Sequence, residues 1–178
     1  MTKSDKIKWN QRHATPTADM EPSRILKTYV HLAKKGRALD IACGQGRNAV
    51  YLAEQGFRVD AVDISGVALA RLKDAHPELQ TIHRDLDTWQ IPQGRYNLII
   101  NIRFMDRRLF PGIIKGLTSK GILIFESFIS DNDDPYCLKP NELLSAFRAL
   151  RILFYEEKDL PGSDHFNEQV SLVAVKPE

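Results

Sequence analysis

Asp40, Gly44, Gly46 and Asp63 are the residues of this 178-residue chain whose types and spacing bear most directly on chemistry. Asp40 interrupts a short apolar run, Ala38-Leu39-Asp40-Ile41-Ala42, and the tight segment Cys43-Gly44-Gln45-Gly46 follows. Two glycines this close let the backbone turn sharply and admit a ligand where a Cβ would collide. A helical pattern comes next, with Ala49, Leu52 and Ala53 on one face, and its first turn offers unpaired N–H groups to an electron-rich atom. Asp63 lies 19 residues after Gly44, at the tip of a second apolar run, Arg58 to Val62. A carboxylate there can accept both hydroxyls of a ribose. The unit asks for a ligand with a ribose.

Asp40 separates the ligands that fit. Gly44-x-Gly46-x-x-Ala49 also satisfies the dinucleotide fingerprint, but those strands usually run apolar up to the first glycine. An ionised acid buried at this point needs a partner. S-adenosylmethionine, with an ammonium and a sulfonium, supplies one. Asp40-Ile41-Ala42-Cys43-Gly44-Gln45-Gly46 matches D-x-x-C-G-x-G position by position, and here the sequence resembles the class I S-adenosylmethionine-dependent methyltransferases. The resemblance implies S-adenosyl-L-methionine as cofactor, with Asp40 and the loop residues Ala42, Cys43, Gly44 and Gly46 around it. It implies Asp63 on the ribose with Ile64 beside it, and Asp85 on the adenine amino group with the Leu86 N–H on the ring. Asn101 would face the same cleft. A ligand-free βα turn is the alternative reading of the loop.

Around this unit the chain reads as alternating helices and strands. Pro22 to Lys35 predicts a helix with Ile25, Leu26, Tyr29, Val30 and Ala33 on one face. Ser65 caps a helix carrying Ala68, Leu69, Leu72 and Ala75 that Pro77 ends. Gln80 to His83 is a short third strand. It delivers Asp85, preferred to Asp87 because it lies nearer the strand end. Tyr96 to Ile102 is near-continuously apolar, as a central parallel strand should be. A helix with Ile113, Ile114 and Leu117 follows, with Pro111 in its first turn or at a kink. A fifth strand runs from Ile122 to Phe128, and Pro140 begins a helix with Leu143, Leu144, Phe147 and Leu150 inward. Arg151 to Glu157 and Gln169 to Val175 are joined by too few residues for a parallel crossover and should pair antiparallel.

The expected fold is therefore α/β, a single doubly wound, mostly parallel sheet of Rossmann-like type over residues 21–178. The family resemblance adds seven strands in the order 3-2-1-4-5-7-6 with the last hairpin antiparallel. Segments Glu126-Ser127-Phe128, Lys139 to Phe147 and Tyr155-Glu156-Glu157 resemble the small tellurite-resistance-type methyltransferases. Two readings stay open for residues 1–20, which are polar and lack sustained periodicity. They form an arm anchored by one aromatic, or a lid that brings Trp9 and Arg12 over the cofactor, with Arg12 on its carboxylate.

Length supports one domain. A net charge of +2 without a block of either sign gives no case for nucleic acid or an anionic membrane surface. No apolar run approaches the ~20 residues of a membrane span. Cys43 and Cys137 form no disulfide or metal pattern, so a reducing cytoplasm is the default. The function expected is in-line methyl transfer to a small-molecule nucleophile that sequence does not identify. A non-catalytic S-adenosylmethionine-binding protein is the alternative, and behind it a nicotinamide-dependent oxidoreductase, for which the chain leaves no room for a substrate domain. No catalytic base is assignable. His165 and Asp106 are the candidates, and Arg103, Arg107 and Arg108 either bind an acidic group or start a solvated helix. Asp134-Pro135-Tyr136 follows the fifth strand rather than the fourth and lacks a proline, so it reads as a turn and not as the D/N-P-P-Y motif of nucleobase methyltransferases. The oligomeric state is open.

Overall fold

The computed structural model describes residues 3–16, 20–130, 134–160 and 168–178. The first half comprises α1 (Lys3–Ala14), α2 (Arg24–Tyr29), β1 (Arg37–Ile41), α3 (Arg47–Glu54), β2 (Arg58–Asp63), α4 (Gly66–Leu72) and β3 (Leu79–His83). The second comprises β4 (Tyr96–Ile102), α5 (Phe110–Gly116), β5 (Leu117–Ile129), α6 (Glu142–Ala146), β6 (Arg151–Asp159) and β7 (Glu168–Val175). The strands form one sheet of order β3-β2-β1-β4-β5-β7-β6. β1 through β5 pair in parallel, and β7 runs antiparallel to both β5 and β6. This is the order and the antiparallel hairpin expected from the sequence.

The apolar runs are continuous because both faces of the sheet are covered. Leu39, Ile41, Ile99, Leu123 and Phe125 pack on one face, with Phe110 of α5 and Phe147 after α6. Ala38, Leu98, Ile100, Ile122 and Ile124 pack on the other, with Leu26 of α2, Leu52 of α3 and Leu69 of α4. Alternate residues of each strand serve opposite cores, the period-2 geometry of a pleated strand. At the amino ends, fully buried Tyr96 donates its hydroxyl to Asp60 Oδ2 at 3.0 Å, and Arg37 donates to Asp60 Oδ1 at 2.6 Å. Asp60 is thus a paired structural acid, although it lies only three residues before Asp63.

Several elements differ from the sequence expectation. Residues 3–14 form a helix, which polar composition and missing periodicity hid. The second helix is shorter than Pro22 to Lys35, giving way to a 3-10 turn at Val30–Leu32. α4 stops at Leu72, before Pro77, and Asp74 there takes a left-handed φ of 64°. Leu117 belongs to β5 rather than to the preceding helix. β5 shifts register between its pairings with Tyr96 and Leu98, and a Cβ at Gly121 would stand 2.9 Å from the carbonyl oxygens of Thr118 and Tyr96. α6 begins at Glu142, not Pro140, after Asn141 in the left-handed region. Among the described residues no helix is long and apolar enough to cross a membrane.

Candidate functional site

The site is built at the carboxyl ends of β1, β2 and β4, where open α/β sheets bind ligands. Asp40 is 2% exposed and lies one residue before the end of β1. The Ala49 N–H, in the first turn of α3, donates to its carboxyl group, while Oδ2 is buried without a partner. Burial, and next the negative charge of Asp63, push the Asp40 carboxyl up to about 8; Arg47 and the Ala49 N–H act the other way. Asn101 is fully buried beside Ile41 in the register, and neither its amide oxygen nor its nitrogen has a partner. Buried polar atoms are rarely left unsatisfied. Two of them at the ends of adjacent central strands mark a place for a polar ligand. β4 spans Tyr96–Ile102, as expected from the sequence, with Asn101 one residue before its end.

The loop between β1 and α3 takes three left-handed residues, Ala42 (φ 53°), Gly44 (54°) and Gly46 (84°). The alanine is the unexpected one, since a Cβ disfavours that region. Strain of this kind concentrates at ligand clamps. The two glycines have different jobs. A Cβ on Gly44 would lie 3.4 Å from the His13 ring of α1, in ordinary contact. A Cβ on Gly46 would lie 2.1 Å from a methyl of Leu72. The missing side chain of Gly46 makes room for Leu72 of α4. Cys43 donates its N–H to the Val62 carbonyl, and burial, with Asp40 and Asp63 nearby, raises its thiol well above the usual range. It is a packing thiol and not a nucleophile.

Asp63 holds this loop in place. Its Oδ2 accepts the Gly44 N–H at 2.8 Å and its Oδ1 the Ser65 N–H at 2.7 Å. The side chain is buried, and both of its oxygens hold backbone N–H groups. Ser65 caps α4 as expected, accepting the Ala68 N–H at 3.1 Å. Its hydroxyl donates to Asn10 Oδ1 of α1 at 2.8 Å. Ile64 and Leu86 are buried, Leu86 within the core against Ile41 and Val62. Asp85 closes a turn by accepting the Asp87 N–H, while Asp87 pairs with Arg108 at 2.7 Å.

α1 covers the loop. The Gln45 amide donates to the Thr15 carbonyl at 2.9 Å and Arg71 to the Ala14 carbonyl at 2.6 Å. Trp9 stacks on His13 at 5.8 Å between ring centroids, and Arg12 lies over the Trp9 ring at 5.3 Å. His13, not Arg12, is the residue of this helix against Gly44. Burial lowers its pKa, with Asp63 opposing and Arg12 adding to the fall. Asn10 and His13 were missed in the sequence, because Ser65 and Gly44, which they meet, lie far along the chain.

The three arginines after β4 all have partners. Arg103 Nε lies 3.3 Å from Glu126, Arg107 pairs with Glu142 at 2.6 Å, and Arg108 grips both Asp106 and Asp87. Asp106 caps a 3-10 turn and accepts from Arg108, so as a candidate base it is already engaged. His165, Asp131 and Asp133 lie outside the described residues.

Residues 38–118, from β1 into β5, match the model of a methyltransferase domain. Over this stretch, a little under half of the chain, the sequence is similar to methyltransferase domains. TehB of Haemophilus influenzae, a probable S-adenosyl-L-methionine-dependent methyltransferase, is 27% identical over 138 residues, covering 68% of this chain and 48% of TehB. The TehB crystal structure superposes with a TM-score of 0.69 at 20% identity, over 96% of this chain and 66% of that one. A Burkholderia thailandensis 1,6-didemethyltoxoflavin-N1-methyltransferase, solved with 1,6-didemethyltoxoflavin and S-adenosylhomocysteine, gives a TM-score of 0.72 at 17% identity, over 98% and 87%. Ribosomal RNA small subunit methyltransferase C of Alcanivorax borkumensis is 35% identical over 81 residues, 44% of this chain and 25% of that protein. The chain spans about half the length, or less, of these curated relatives. The sequence similarity to a methyltransferase domain thus lies in residues 38–118, and the structural likenesses establish the fold.

Proposed function

We propose that this chain binds S-adenosyl-L-methionine at the ends of β1, β2 and β4 and transfers its methyl group to a small-molecule nucleophile. The observation that carries the reading is the buried, unpartnered Oδ2 of Asp40, beside a left-handed loop that Asp63 holds by backbone N–H bonds. The residues fit the cofactor: a cationic ligand gives Asp40 the counter-charge it lacks, and an amide-reading group satisfies Asn101. Asp63 and Ile64 would take the ribose side, Asp85 and the Leu86 N–H the base, and the loop from Ala42 to Gly46 the methionine. Trp9 and Arg12, with His13, would close the site from α1. The setting proposed is cytoplasmic.

When bound, the cofactor supplies an electrophilic methyl: the acceptor's lone pair forms the new bond while the carbon–sulfur pair leaves with a now neutral sulfur. Positioning is then the main task of the protein, since no leaving-group charge develops. Asp40 holds and orients the donor, the loop fixes its depth, and α1 keeps water away from the reacting face. Production of S-adenosylhomocysteine from a panel of thiols, amines and nitrogen heterocycles tests the reading. Turnover that Asp40→Asn abolishes is expected. A panel without turnover, from a chain that binds the cofactor, would favour the non-catalytic alternative.

A further inference from the structure

The sheet face beneath α2 changes chemistry along one register row. On that face Ile122 of β5 pairs with Val175 of β7, and Ile124 with Val173, which faces Phe154 of β6. Two residues further along β5, Glu126 pairs with Ser171, which faces Glu156; then Phe128 pairs with Gln169, which faces Lys158. Two neighbouring strands and the edge strand thus turn from apolar to largely polar at the same height. Glu126, Ser171 and Gln169 are nonetheless only 5, 4 and 6% exposed. Polar groups placed this deep are unfavourable unless they meet partners.

These three side chains line a cleft of about 450 Å³, the size of a small-molecule pocket. Ser23 lines it too, with a buried hydroxyl that has no partner. The floor is rich in acceptors. Gln169 donates its amide N–H to Ser171 at 3.3 Å, so its oxygen is presented to a donor together with the Glu126 carboxylate, whose Oε1 lies 3.3 Å from Arg103 Nε. The rim carries exposed Arg24, Arg103 and Lys158, with Glu21 and Glu156 also on it. Arg103 is held in a left-handed conformation (φ 58°), its N–H bonded to the Glu126 carbonyl at 2.7 Å. Arg47 also lines the cleft and follows Gly46 directly, so the cleft and the glycine loop share a wall.

We propose that this cleft seats the methyl acceptor, a small molecule with an N–H nucleophile directed at Glu126 and Gln169 and an acidic group directed at Arg24 and Arg103. The proposal rests on the methyltransferase reading above. An N–H acceptor sheds one proton as it gains a methyl. The Glu126 carboxylate is placed to take that proton and return it to water through the open rim.

Ligand-observed NMR on the full chain, without cofactor, tests the binding directly. The probes are β-alanine, anthranilate and imidazole-4-acetate, against the acids butyrate and benzoate and the amines propylamine and aniline. At least one two-headed probe should bind saturably, and about tenfold or more tighter than its one-headed analogues, the scale of one hydrogen bond to a charged group. Glu126→Gln should weaken it about tenfold, and so should Arg24→Glu, a surface change that leaves the core intact. Equal binding of all probes, no binding, or indifference to both substitutions overturns the proposal. Titration of the same sample with S-adenosylmethionine separates the two readings. Cofactor bound without any probe overturns the acceptor class and leaves methyl transfer standing. A probe bound by a chain that takes no cofactor overturns the acceptor role and methyl transfer together.

Discussion

Binding of S-adenosylmethionine at pH 7 should release a proton from Asp40. Burial and the neighbouring Asp63 hold its carboxyl at about 8 in the ligand-free chain, so at pH 7 about 0.9 of the molecules carry the proton there. A cation arriving at the unpartnered Oδ2 favours the ionised form and expels it. Calorimetry in phosphate, imidazole and Tris at pH 7 reads the release as a dependence of the observed heat on buffer ionisation enthalpy, with a slope of magnitude about 0.9. At pH 9 the release from Asp40 itself should fall away, since its carboxyl is then already ionised. Asp40→Asn should abolish the pH 7 slope and weaken binding. The sign for folding follows from the same shift. The native state holds more protons than the unfolded chain between the ordinary aspartate value and about 8, so ligand-free stability falls as pH rises through that window. Binding heats independent of buffer at pH 7 would refute the placement of the cation on Asp40.

Asp63→Ala should lower both affinity and stability, the latter by about 2–4 kcal/mol in urea unfolding, because the Gly44 and Ser65 N–H groups lose their acceptor. An unchanged midpoint would show that the loop does not depend on it. Gly46→Val should destabilise by about 3 kcal/mol or more, combining the left-handed backbone with the collision at Leu72. Gly46→Ala and Leu72→Ala together should be milder than their sum, by at least about 1 kcal/mol in a double-mutant cycle. Deleting residues 1–18 should leave a folded chain that binds S-adenosylmethionine about tenfold more weakly, since α1 closes on the loop through Asn10 and His13. Equal affinity with and without the helix would make it a passive cover.

How far the sequence was legible depends on whether a residue's reason is local. The apolar strands, the Ser65 cap and the spacing from Asp40 to Asp63 are local signals, and each led to its element. Residues 3–14 have no apolar stripe; they are held by Ser65, Arg71 and Gln45, partners more than 25 positions away in sequence, which no window of local pattern contains. The packing reason for Gly46 was hidden, because its contact with Leu72 exists only once α3 and α4 pack. Asp60 and Asp63 look alike in Val59-Asp60-Ala61-Val62-Asp63, and only the sheet shows one paired with Arg37 and Tyr96 and the other holding the loop. The polar row at Glu126, Ser171 and Gln169 was hidden in the same way, since it needs the β5–β7 register to appear.

Calorimetric titration of the chain with S-adenosylmethionine, run beside NAD under the same conditions, is the most direct test of the site at the ends of β1, β2 and β4. Saturable one-to-one binding of S-adenosylmethionine, lost in Asp40→Asn, with no heat from NAD, is the expected result. Binding of NAD, or S-adenosylmethionine affinity unchanged by Asp40→Asn, would contradict it.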